Sequence, residues 1–478
     1  MMLQKISLPS MALIATKRGL SLLLLSFVLF SFKAQAGQGH RIEVSVRGLG
    51  AEECYLAYHY GDRQFLKDSV ASNEQGSLVF EGGERLDPGM YMVVLPGQKY
   101  FEILVDHNQH FSLETSLDQL VLAMRFTDAP DNQGFYDYLR FLNAIRPEMN
   151  RLQEAAGREG LPEDSQSSVI EKMDSLNAVI RHRQDVYMET FPDGLFSKIL
   201  LAQRDPAIPE SFRQDGRIND QKALRGFYKD HYWDHIDFSD DRLLRTPVYH
   251  AMLRRFFENF LLQAPDTIIR YGDKLIRESR AHPDVFRYTL WYLTNFSERS
   301  MVMGMDAVFV RLVENYYAAG EAFWMEETAL SNLVARARKL KPLLVGKTAP
   351  DITMYATDGT PVSLHDVEAE YLVVYFWESE CSYCQKETPA LKELYDTYRS
   401  KGLEVYAANA EMDQAKWREA VGKYELEWIN VNDVANKSGF REKYDIFGIP
   451  LIFLLDSEKR IVAKQISVEQ LKGFLPSY

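Results

Sequence analysis

The sequence predicts a multidomain chain of three unlike parts: a small all-β sandwich or barrel, an all-α helical middle, and a C-terminal α/β domain. Three observations carry this. The chain has 478 residues, more than a single compact core usually organises. Its hydrophobic period lengthens from two to about 3.6 residues near residue 130. Near residue 342 the pattern changes again, to continuous apolar stretches alternating with helical ones. The expected divisions are 37–128, 129–341 and 342–478, preceded by a segment of another kind, 1–36.

That first segment has the pattern of a secretory signal peptide. Lys17 and Arg18 precede an apolar run over residues 20–32, broken only by Ser21, Ser26 and Ser31, and Ala34-Gln35-Ala36 follows. Cleavage is expected after Ala36. The run is shorter than the roughly 20 residues of a membrane span; the alternative is an uncleaved N-terminal anchor. No cysteine stands at the cleavage site to carry a lipid. Hydrophobic residues at 46% and charged residues at 26% are ordinary for a soluble globular protein. The formal net charge is -13, and losing the leader removes basic residues only. Nucleic acid is therefore not an expected partner, since phosphate binding needs a basic surface. Export to the periplasm or cell envelope would place the chain where dithiol and disulfide forms both persist.

In the first domain Ile42, Val44 and Val46 alternate with polar residues, the period of a half-buried strand. Strand-like runs follow at 54–60, 77–81, 90–95, 100–105 and 111–115. Gly48, Gly50, Gly61-Asp62, Gly82-Gly83, Asp87-Pro88-Gly89 and Pro96-Gly97 punctuate them. In the middle domain Val169, Ile170, Met173, Leu176, Val179 and Ile180 fall on one helical face. Similar periodicity recurs in TPVYHAMLRRFFENFLL and VFVRLVENYYAAGEAFWM, with breaks expected near Pro206–Pro209, Pro265 and Pro283.

The last domain opens on YLVVYFW, residues 371–377, a run suited to a central strand covered on both faces. A helix is expected from about Ser382, a strand over 403–408, a helix from near Asp413 and another over 434–444. Adjacent strands at 451–455 and 460–465 follow, and a final helix is opened by Ser467 with Gln470 three residues on, a capping-box pattern.

The chemistry lies in FWESECSYCQKETP. The chain has three cysteines, and two of them, Cys381 and Cys384, stand two residues apart at the strand-to-helix junction. Unpaired amides and the helix dipole at such a position stabilise a thiolate at Cys381. Cys384, one turn on, is placed to resolve a mixed disulfide. Three other readings compete. Half a zinc site lacks a second C-x-x-C or C-x-H pair. A structural disulfide is a second reading. A peroxidatic cysteine would have Thr or Ser three residues earlier, where this chain has Glu378.

From Gly346 to the end the chain resembles thioredoxin-like domains of the TlpA/ResA group. The resemblance rests on Ala349-Pro350-Asp351, Asp358-Gly359, Val362-Ser363-Leu364 and Phe376-Trp377, then CSYC, WINVND and FGIPLIFLLD. It implies a thioredoxin-like fold and a thiol–disulfide oxidoreductase, with Cys381 as nucleophile and Cys384 as resolving cysteine. It implies a helix-kinking Pro389, and a substrate edge formed by Trp377, Ile449 and a cis-proline, Pro450. Glu387 matches an acidic residue of ResA-like members that exchanges protons with the pair; its other reading is a solvated helix glutamate. Two departures stand out. Tyr375 occupies the place of a buried thioredoxin aspartate, and the intervening dipeptide is Ser382-Tyr383, so no reduction potential can be borrowed. The β segment, through LKDSVASNEQGSLVFEG, resembles a small domain that precedes thioredoxin modules in exported bacterial proteins, and the helical part resembles the inserts of the same proteins; neither adds chemistry.

Other candidates are weaker. Cys54 fits a buried inert thiol better than a partner of the active pair. His231 and His235 have helical metal-ligand spacing but lack a third ligand. His107 and His110 fit a strand-end loop, and the aromatics of HYWDHIDF and FFENFLL fit a core. There is no P-loop or dinucleotide fingerprint, so neither cofactor nor metal is expected. The function expected is reduction of disulfides in envelope proteins, with electrons from a membrane or periplasmic donor. The alternatives are an oxidase or isomerase, or an envelope scaffold whose redox module only senses or clamps.

Overall fold

The computed structural model describes residues 39–157, 162–214, 217–218, 220–433 and 437–475. The leader pattern and its cleavage site lie outside them. The N-terminal region contains β1 (His40–Arg47), β2 (Glu53–Tyr60), β3 (Arg63–Ala71), β4 (Ser77–Gly82), β5 (Gly89–Leu95), β6 (Lys99–Val105), β7 (His110–Ser116) and β8 (Arg125–Thr127). They form two four-stranded sheets, ordered β4-β1-β7-β8 and β3-β2-β5-β6. Ile42, Val44 and Val46 point inward, as their alternation predicts. β3 was not expected. Most of its side chains are exposed, so its sequence carries no inward-outward contrast.

The middle of the chain is helical: α1 (Pro130–Ala156), α2 (Glu163–Thr190), α3 (Leu195–Ala202), α4 (Gln221–His231), α5 (Pro247–Arg254), α6 (Pro265–Ser279), α7 (Pro283–Arg299), α8 (Asp306–Leu312) and α9 (Glu327–Leu340). Pro265 and Pro283 do more than break helices. Each is the first residue of one, where proline's missing N–H has no intrahelical acceptor to lose. α5 and α8 each widen into a π-helical turn, over Arg255–Phe260 and Val313–Tyr317. Buried side chains of the β sheets and helices merge into one apolar cluster running from Ile42 to Leu340. Asn132 of α1 ties the two regions further. Its amide pairs with both N–H and C=O of Leu104 at 2.7 Å, continuing the edge of β6 as a strand would.

The C-terminal region is a seven-stranded sheet flanked by helices. Its strands are β9 (Thr353–Ala356), β10 (Pro361–Ser363), β11 (Tyr371–Trp377), β12 (Leu403–Asn409), β13 (Ile429–Asn432), β14 (Leu451–Asp456) and β15 (Ile461–Lys464), in the order β10-β9-β13-β12-β11-β14-β15. β11, β12 and β13 are parallel, and β14 and β15 close the sheet antiparallel. Alternate residues of β11 feed two cores. Val373, Tyr375 and Trp377 pack with Cys384 and Leu391 on one face, and Leu372, Val374 and Phe376 pack on the other. This is why 371–377 is apolar throughout.

The helices of this region are α10 (Ser382–Tyr398), α11 (Gln414–Lys423), α12 (Phe440–Lys443) and α13 (Val468–Leu471). The capping box at Ser467 and Gln470 is formed. The helix expected over 434–444 is only the short α12; residues 434–436 lie outside the described set. Asp433 accepts hydrogen bonds from the amides of Lys437 and Ser438, and Gly439 has a φ of 67°, so a turn displaces the helix start.

Candidate active site

Cys381 sits where β11 hands over to α10. The loop after Trp377 ends at this residue, which caps the helix. Its sulfur accepts a hydrogen bond from the Cys384 amide at 3.2 Å. That contact uses one of the first-turn amides that have no intrahelical acceptor and brings the positive end of the helix to the sulfur. On its other side the Cys381 thiol faces the Ile449 carbonyl oxygen at 3.6 Å. The Ile449–Pro450 peptide bond is cis. Ile449 and Pro450 are both partly exposed, so this loop is accessible beside the half-buried Cys381.

Cys384 is the hidden member of the pair, 1% exposed within the core that holds Tyr375 and Trp377. Burial, aided by its contact with Cys381, pushes its thiol up to about 12. The two sulfurs therefore differ by environment: one meets solvent and a loop, the other sits beneath in apolar surroundings. Both are free thiols, as is Cys54. Cys54 is fully buried in the β region, and burial raises its pKa.

Tyr375 is completely buried. Its hydroxyl pairs with Thr388 Oγ1 at 2.9 Å, one turn beyond Cys384. A tyrosine–threonine bond thus occupies the ground where an internal carboxylate was noted as missing, and burial drives the Tyr375 pKa far upward. Thr388 was not singled out in the sequence; the helical offset of four from Cys384 was its only signal.

Glu387 is partly buried. Its Oε2 accepts a hydrogen bond at 2.8 Å from the amide of Val468, the first residue of α13. Neither sequence reading included this anchor. Trp377 requires a correction. It was expected at the substrate edge, but it is 0% exposed and stacks on Tyr375 with ring centres 6.1 Å apart. As an inward residue of β11 it fills the core beneath the pair and presents no surface to a partner. Pro389 lies inside α10, which continues to Tyr398.

The remaining candidates fall elsewhere. α4 ends at His231, whose Nδ1 pairs with Asp234 at 2.6 Å, so His231 and His235 share no helix face. Tyr232, Trp233, Phe256 and Phe257 are core residues. Among the described residues, one cluster has metal-ligating types in reach of one another, Asp241, His282 and Asp284. Arg245 already occupies it, bonding Asp241 at 2.6 Å.

A thioredoxin-like sheet with a C-x-x-C at the start of its first long helix and a cis-proline loop facing it defines a thiol–disulfide exchange domain. Comparison with known proteins agrees. Residues 345–464 match the AhpC/TSA family. The chain is 31% identical over 134 residues to the thiol-disulfide oxidoreductase ResA of Bacillus cereus, covering 27% of this chain and 76% of that protein. It is 25% identical to ResA of Geobacillus thermodenitrificans, over 38% of this chain and 97% of that one. A solved domain of a possible thiol-disulfide isomerase from Cytophaga hutchinsonii is 42% identical, covering 28% of this chain and 91% of that domain, with a TM-score of 0.27. Through its C-terminal domain the chain belongs to the TlpA/ResA-like thiol–disulfide oxidoreductases of the thioredoxin family.

Proposed function

We propose that this protein is exported and reduces disulfides of cell-envelope proteins. The observation that carries the reading is the asymmetry of the pair: Cys381 partly open at a helix N-terminus beside Ile449–Pro450, and Cys384 buried beneath it. The thiolate of Cys381 attacks one sulfur of a partner's disulfide. A Cys381–partner bond forms, the partner's S–S bond breaks, and the departing sulfur takes a proton. Cys384 then loses its proton and attacks Cys381. The internal disulfide forms and the second partner thiol leaves, so two electrons have passed to the partner.

The partly exposed loop at Ile449 and Pro450 offers an extended partner segment a short edge to lie along. Cys384 holds its proton tightly, so the second step needs an acceptor. Glu387 lies one turn on along the same side of α10, anchored through Val468, and serves as that acceptor. A periplasmic or membrane electron donor restores the dithiol. The sheets and helices ahead of residue 342 select or localise the partner. No metal or organic cofactor enters this chemistry.

The test is reduction of insulin disulfides by the purified full chain with dithiothreitol as electron source. The chain is expected to accelerate insulin reduction well above the dithiothreitol background. Cys381→Ala and Cys384→Ala are expected to bring it back to background. A wild-type chain no faster than dithiothreitol alone refutes the reading.

A further inference from the structure

The loop that faces Cys381 is held from outside its own domain. It runs from Asp445 through Phe447 to Ile449 and Pro450, and Ile449 carries the carbonyl 3.6 Å from the Cys381 sulfur. Asp445 is buried, with the left-handed φ of 52°. Its carboxylate is gripped by two cations of α9, in the helical region. Arg336 bonds one oxygen, and Lys339 Nζ lies 3.1 Å from the other. The same two cations lie near Phe447: the Arg336 guanidinium is 5.0 Å and the Lys339 ammonium 5.3 Å from its ring centre.

The i, i+3 spacing of Arg336 and Lys339 puts both on one face of α9. One carboxylate and one aromatic ring, two residues apart, thus meet two cations together. Phe447 is nonetheless 80% exposed. A large apolar ring so open to water is costly to display. Here it stands against the two cations, two residues before Ile449, whose carbonyl faces the attacking sulfur.

We propose that Arg336 and Lys339 are positioning residues of the exchange site. They act through Asp445 and Phe447 to hold the loop 445–450 against Cys381, and so make the helical region part of the machinery that receives a protein disulfide. The inference rests on the exchange reading above. The clamp matters for substrates that must lie along the loop as an extended segment. A small soluble disulfide needs only the partly open sulfur of Cys381.

The full-length double variant Arg336→Gln/Lys339→Gln is compared with wild type on two substrates, insulin and 5,5′-dithiobis(2-nitrobenzoate). Because misplacing a reacting group by about 1 Å can cost on the order of a hundredfold in rate, the ratio of the insulin kcat/KM to the small-disulfide rate is expected to fall at least about tenfold. Phe447→Ala serves as the second variant. Its side chain is exposed, so the fold does not depend on it, and a fall in the same ratio is expected. Combined with the α9 changes it adds less than its separate effect, since both act on one loop.

An unchanged ratio in both variants overturns the proposal, whether the two rates are preserved or fall equally; equal falls assign the clamp to the fold alone. A wild-type chain without insulin reductase activity defeats the exchange reading instead. A wild-type chain that is active, with variants of equal ratio, defeats only the clamp.

Discussion

The two sulfurs of the candidate site differ in burial because Cys381 caps the helix and Cys384 lies within its first turn, and that difference sets an alkylation order. The perturbation is a brief pulse of iodoacetamide on the fully reduced chain at pH 7 to 9. Only thiolates react. With its pKa pushed up to about 12, Cys384 is ionised in about one molecule in 10⁵ at pH 7 and about one in 10³ at pH 9, each unit of difference being a factor of ten. Its 1% exposure slows reagent access further. Cys381 is therefore expected to be alkylated at least about a hundredfold faster than Cys384 across this range. Cys381 and Cys384 fall in one tryptic peptide ending at Lys386, so fragment-ion mass spectrometry must assign the label within it. Cys54, in a separate peptide and fully buried, is the internal control that stays unlabelled. Equal labelling of Cys381 and Cys384 at pH 7 refutes the reasoning. The same shift has a stability consequence. The folded chain holds the Cys384 proton more tightly than the unfolded chain, so the stabilisation is complete below about 9 and is lost as pH rises toward about 12. Between pH 9 and 10.5 the melting temperature of wild type is expected to fall more steeply than that of Cys384→Ala.

Three further outcomes follow from the geometry. Trp377→Ala is expected to cost about 3–5 kcal/mol of stability because the indole is fully buried; an unchanged thermal melt with weakened substrate affinity would return Trp377 to the substrate edge. Glu387→Gln keeps an oxygen for the Val468 amide but removes the charge. It is expected to slow exchange and flatten its pH dependence without lowering the melting temperature, and an unchanged pH–rate profile would leave Glu387 as an anchor for α13 alone. Arg242→Ala breaks a largely buried pairing with Asp106 and Asp240. It is expected to destabilise the β and helical regions by about 3–5 kcal/mol, read by chemical denaturation, and a loss under about 1 kcal/mol would show that those carboxylates find other partners.

The candidate cysteine pair was legible in the sequence because its immediate setting is local. A strand buried on both faces must be apolar throughout, and the residue that follows such a strand into a helix meets unpaired amides. YLVVYFW followed by CSYC carries both facts. The strand at 111–115 was legible for a similar reason, since its inward residues alternate with outward ones, and the one at 90–95 because it is apolar and buried almost throughout. β3 was hidden because Arg63–Ala71 lies largely in solvent on both faces. Trp377 was misplaced because proximity to the cysteines along the chain is blind to the pleat: as an inward residue of β11 it points into the core. Arg336, Lys339 and Phe447 left no trace in the sequence. Arg336 and Lys339 precede Phe447 by about 110 residues, and only the docking of α9 beside the loop brings them together. Glu387 was noticed for its charge, yet its acceptor role toward α13 depends on a contact with Val468, 81 residues on.

The most direct test of the account is to stop the reaction half-way. Full-length Cys384→Ala, reduced and then exposed to an excess of a cysteine-containing peptide in its disulfide form, is expected to gain the mass of one peptide through a single mixed disulfide. Fragmentation is expected to place that bond at Cys381, and wild type is expected to pass through the adduct to the internal Cys381–Cys384 disulfide. An adduct at Cys54, or none at Cys381, would contradict the assignment of Cys381 as the attacking sulfur and with it the account of how this protein works.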